Sequence, residues 1–104
     1  MKKATITIEK HTGSFAENKD KAKQLRIRHI IPALSEGKGV ILDFAGVSGT
    51  TQSFIHALIA QPIRQFGDNA LENLEYKNCS DIVKEVIKTV YEYMQESLNN
   101  EDET

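Results

Sequence analysis

The stretch Val40-Ile41-Leu42-Asp43-Phe44 narrows the choice of folds more than any other part of this chain. Its nearly unbroken apolar run is that of a strand covered on both faces, and such a strand lies inside a sheet rather than at its edge. Directly after it, Gly46 and Gly49 bracket a Ser/Thr-rich turn. A helical pattern then opens at Phe54 and continues through Ile55, Leu58, Ile59, Ile63 and Phe66. The chain passes from the carboxyl end of a buried strand, through small residues, into a helix amino terminus. In open α/β sheets that junction is where ligands collect.

The flanking segments fit the same architecture. Thr5 to Glu9 alternates polar and apolar residues, which predicts a strand with one buried face. Thr12-Gly13-Ser14 reads as a turn, and Ser14-Phe15-Ala16 suits a further short strand. A helix follows, capped by Asn18 or Asp20, with Ala22, Leu25, Ile27, Ile30, Ile31 and Leu34 as its apolar stripe. Pro32 disfavours helical geometry at Ile31 and predicts a kink or an end there. The next helix starts at Gln52 or Ser53, and Pro62 is a second kink point. Gly67-Asp68-Asn69 reads as a turn, and Leu74 and Tyr76 alternate with polar neighbours as a short strand. Ser80 or Asp81 caps a last helix whose stripe is Val83, Val86, Ile87, Val90 and Met94. The order β-α-β-α-β-α predicts an α/β fold, a small, mostly parallel sheet with helices packed on it. Residues 1–98 are read as one domain and 99–104 as a disordered acidic tail.

Composition sets the remaining bounds. At 104 residues the chain suits a single core. Its 39% hydrophobic and 27% charged residues are those of an ordinary folded domain. No apolar run approaches the roughly 20 residues of a membrane span, and no signal-peptide core follows Met1. The single cysteine, Cys79, leaves no internal disulfide, so the cytoplasm is the expected setting. Net charge is −2, which argues against an overall electrostatic binder of nucleic acid.

The segment Leu42-Asp43-Phe44, its small-residue turn and Ser53 at a helix start resemble the core of STAS domains, the anti-sigma factor antagonist fold. ILDFAGV followed by TQSFIHALI, with Asn78-Cys79, resembles more closely a STAS-like family of unknown function, over about Thr5 to Tyr93. Members of that family are often fused to, or encoded beside, histidine-kinase-type ATPases. The resemblance implies a non-enzymatic regulatory module in bacterial signalling that partners such an ATPase or another regulator. In the antagonists a serine opening this helix is phosphorylated by a kinase of that superfamily, and Ser53 aligns with it. Here Thr51, Gln52 and Phe54 replace the acidic residue, serine and glycine that flank the antagonist serine.

Each candidate residue also has a plain structural role. Ser53 at a helix start could simply cap it, a contribution of about 1 kcal/mol. As a phosphoacceptor it would place about −1.5 to −2 charge at the positive end of the helix dipole. Thr50 and Thr51 are alternative acceptors or turn formers, and Gly49, Phe54 and His56 complete the expected contact face. Asp43 ends the central strand and is either exposed at the sheet edge or tied to N–H groups of the next loop. His11, His29, His56 and Cys79 have no metal-ligand spacing, and no cofactor is implied. Cys79 reads as a packed thiol. Lys19, Lys21, Lys23, Arg26 and Arg28 form a basic run that suits a solvated helix face. It lacks interleaved aromatic residues for stacking on bases.

The resulting expectation is a protein-interaction module whose contact face spans Gly49 to His56, with a homodimer left open. Two other readings stand beside it. One is a small domain that binds a nucleotide or other anion through the 46–53 loop. The other is weak nucleic-acid binding through the Lys19–Arg28 face. No nucleophile, base and orienting residue assemble into an enzyme.

Overall fold

The structure, a computed structural model, describes residues 3–102, with side chains from Lys3 to Gln95. Val40 and Leu42 have no exposed surface, and they fix the position of strand β3 (Gly39–Asp43). It lies between β1 (Lys3–Thr7) and β5 (Leu74–Lys77) and runs parallel to both. The expected central parallel strand is therefore present, with Phe44 buried one residue past its end.

The sheet is covered on one face, not on two. Its spatial order β1-β3-β5 repeats the chain order, so right-handed crossovers carry both connections over the same side. Burial follows that rule. Ile6, Val40, Leu42 and Leu74 point into the core. The opposite face carries Lys3, Thr5, Ile41, Asp43, Glu75 and Lys77, all exposed or half-buried. Gly39 belongs to that outer face. The Lys3 side chain passes over it, 3.3 Å from where a Cβ would stand, to pair with Glu75. The apolar run of β3 is thus less symmetric than it reads, because Ile41 looks outward.

Helices α2 (Lys19–Leu25) and α3 (Ile31–Ser35) are joined without a break by a π turn at Arg26–Ile30. Asn18 caps α2 by accepting from the Asp20 and Lys21 N–H groups. In the π turn Ile31 donates to Arg26, five residues back. This wider turn explains why the expected stripe fails at Ile27, which is 51% exposed, while Ile30 is buried. Leu25 and Ile30 are five apart, and a π turn brings such a pair to one side where a regular helix would not. Pro32 sits just beyond, as the second residue of α3, and the helical backbone runs through it from the π turn. The chain neither stops nor restarts at Ile31.

Three further expectations shift. Glu9 belongs not to β1 but to the short helix α1 (Glu9–Thr12). The short strand near Ser14 exists as β2 (Phe15–Ala16), but it pairs in parallel with β4 (Gly49–Thr50) in a separate sheet. Gly67-Asp68-Asn69 is not a simple turn. Gly67 adopts positive φ and starts α5 (Asp68–Asn73), held by the buried Ala70. Helix α4 (Gln52–Phe66) runs through Pro62, and α6 (Asp81–Asp102) buries Val83, Ile87, Val90 and Met94. The acidic segment 99–104 overlaps the end of α6, and Glu103 and Thr104 lie outside the described residues. None of the described helices is long and apolar enough to cross a membrane.

One-sided coverage predicts unequal costs at adjacent positions of β3. Leu42→Ala should lose about 2–5 kcal/mol as a core truncation. Ile41→Thr, on the open face, should lose less than about 1 kcal/mol. Urea unfolding of the two variants checks this, and equal losses would mean that both faces are covered.

Candidate functional site

The chain leaving β3 is anchored at nearly every polar group. Asp43 Oδ1 accepts from the Ala45 N–H at 2.9 Å and from Asn78 Nδ2 at 3.0 Å. Asn78 stands at positive φ, a conformation that asparagine tolerates better than most residues. The side-chain bond from Asn78, then that from Ala45, holds the Asp43 carboxyl below its usual range. Of the two sequence-based alternatives, Asp43 is the residue tied to the following loop.

The hydroxyl-rich loop has specific structural duties. Ser48 donates through its N–H and its Oγ to the Ser14 carbonyl, and Ser80 Oγ donates to the Ser48 carbonyl. Thr50 is buried and donates to the Ala16 carbonyl at 2.7 Å. Thr51 caps α4, its Oγ1 accepting from the Phe54 N–H at 3.1 Å. Ser53 is therefore not the cap. It lies in the first turn of α4, is exposed, and forms no side-chain hydrogen bond among the described residues. The abundance of hydroxyls is largely structural, and Ser53 is the exception.

The expected contact residues divide accordingly. Thr50 and Phe54 are buried, so their side chains serve the core and not the surface. Gly49 is buried under the Phe15 ring, whose Cε1 lies 2.9 Å from the position of a Cβ. Ser53 and His56 are exposed and line one groove of about 380 Å³ with Lys19, Gln52 and Tyr93. Phe15 (48% exposed) and Ile82 (62%) flank Gly49, and Tyr93 (69%) stands farther along α6. These three apolar residues were missed in the sequence. The available signal was that Ile82 and Tyr93 fall off the buried stripe of α6.

The residues behind the other readings are placed as follows. The loop N–H groups of Val47, Ser48 and Thr51 are donated to carbonyl groups within the chain, so these three do not face a ligand. The basic run is split over several directions. Arg26 turns inward to donate to the Ala57 carbonyl at 2.9 Å, Lys19 lines the Ser53 groove, and Lys21 and Arg28 face elsewhere. Cys79 lies half-buried in a wider groove of about 630 Å³ with Tyr76, Ile87 and Tyr91. Burial pushes its thiol up, away from thiolate chemistry. No cluster of three metal-ligating side chains occurs among the described residues.

The profile of the STAS-like domain of unknown function (DUF4325) matches residues 21–84, more than half of the chain. The chain belongs to this STAS-like family. The match takes in the π turn, β3, the anchored loop, α4 and β5, and with them the Gln52, Ser53, His56 and Ala57 side of the groove but not Lys19, Val90 or Tyr93. Comparison with curated proteins and with solved structures gave no match.

The Asp43–Asn78 contact gives a pH prediction for this STAS-like domain. In the unfolded chain the Asp43 carboxyl titrates near 3.9. Above that pH its contribution to stability is complete. As pH falls through 3.9 toward the lower folded value, the unfolded chain takes up the proton first and the contribution is lost. Asn78→Ala should raise the Asp43 titration toward the ordinary range, as followed by carboxyl-carbon NMR. An unchanged titration would assign the shift to the loop N–H alone.

Proposed function

We propose that this STAS-like domain is a non-enzymatic regulatory module that docks a protein partner on the face formed by the amino-terminal turn of α4 and the outer side of α6. One observation carries the reading: Ser53 alone among the hydroxyls of the anchored loop has no structural duty, and it opens onto a groove. The exposed Phe15, Ile82 and Tyr93 add support, since large apolar side chains held at the surface of a small domain suit an interface. The partner is a histidine-kinase-type ATPase, and Ser53 is its phosphoacceptor.

The physical basis of such a switch is local. A phosphate on Ser53 would sit at the positive end of the α4 dipole, where the fold tolerates it. Lys19 and His56 line the same groove and offer it partners. The modification would change the charge of the face while the core residues Phe54 and Ile55 beneath stay packed.

Calorimetric titration against the histidine-kinase-type ATPase encoded nearest to this gene tests the reading. Ser53→Ala should bind as wild type does, and Ser53→Asp should stay folded by circular dichroism while weakening binding about tenfold or more. Tyr93→Ala and Ile82→Ala should weaken it similarly without loss of fold. A folded Ser53→Asp that binds as tightly as wild type would remove Ser53 from the switch. Full affinity in both apolar variants would remove the face from docking.

A further inference from the structure

We infer that the β1 edge carries a second site, built around His11 and His29, that binds a phosphate group. It shares no residue with the Ser53 groove. The two imidazole rings lie 6.3 Å apart between centroids and separate two adjoining hollows. One, about 200 Å³, is lined by Thr5, Thr7 and Lys10 beside the histidines. The other, about 40 Å³, adds Lys21, Gln24 and Arg28.

Charge decides what such a site accepts. Two imidazoles at this separation could each give a nitrogen to one metal ion. Three fixed cations surround them, however, and no carboxylate lines either hollow. Glu9, the nearest acid in sequence, directs its side chain toward Gly46. Lys10, Lys21 and Arg28 take part in none of the salt bridges among the described residues. A cation would be repelled, and an anion would meet donors on every side.

The backbone adds to this. Ile8 donates to the Asp43 carbonyl inside the sheet, so strand alternation turns the Thr5 and Thr7 N–H groups to the free edge. The π turn presents Arg28 and His29 outward while Arg26 is held inward by Ala57. The larger hollow has room for a tetrahedral phosphate beside Lys10 and the two histidines, and Arg28 and Lys21 add their charge from the smaller hollow across the imidazole pair.

The histidines supply the test, because the chain has three and His56 lies in the other groove. Imidazole resonances are followed by NMR while potassium phosphate, or glycerol phosphate as an ester, replaces chloride at fixed pH and ionic strength. Saturable shifts of His11 and His29 with His56 unmoved support the site. Binding of the ester at least as tight as that of the inorganic ion identifies a phosphorylated small molecule as the source, and preference for the inorganic ion identifies free phosphate. Replacing both Lys10 and Arg28 by Gln should leave the fold intact by circular dichroism and weaken binding about tenfold or more. Three outcomes would overturn the inference: equal shifts of all three histidines, saturation by Zn²⁺ with no response to phosphate, or a response to duplex DNA alone.

Discussion

Everything in this structure depends on β3 being paired in parallel on both sides while it is covered on only one face. Parallel neighbours require crossovers, and neighbours in chain order send those crossovers to one side. The side chains of Val40 and Leu42 are therefore fully buried in the core, and that of Ile41 lies half-buried on the open face. A sheet this narrow has two free edges and an open face, so its ends have to be secured by other means.

The securing is done where β3 ends. Asp43, Asn78, Ser48, Ser80, Ser14, Thr50 and Ala16 form a hydrogen-bonded collar that joins the loop to β2, β5 and α6. The collar fixes the start of α4, with Thr51 as its cap, and so presents Ser53 in a defined orientation. In the proposed switch, a modification there would act on a start of α4 that is already held in place by these hydrogen bonds. The π turn serves a comparable purpose on the other side of the domain. It keeps Leu25 and Ile30 in the core while it directs Arg28 and His29 to the β1 edge.

Much of this was legible in the residues. The buried run, the glycine-bracketed loop and the stripes of α4 and α6 each recur at a period set by local geometry, and those elements lie where the periods put them. Asn18 and Ser80 cap their helices for the same local reason. Where expectation failed, the cause was non-local. Thr50, one of a run of hydroxyl residues, and Phe54, first in the apolar stripe of α4, stood in the expected contact face, yet packing buries both. Ser53 looked like a cap until Thr51 was found to accept the Phe54 N–H.

By itself the sequence determined the α/β order, the central place of β3, the membership of Asp43 and Ser53 in one junction, and the absence of metal-ligand spacing. These follow from periodicity and chemistry within a few residues. The tertiary structure alone decided that one sheet face stays open, because that depends on the spatial order of the strands. It alone decided which hydroxyls are committed, because their acceptors lie more than thirty residues away along the chain. It also brought His11 beside His29 and split the basic run into separate faces. Residue spacing along a chain carries no record of the partners that a fold brings in from the side.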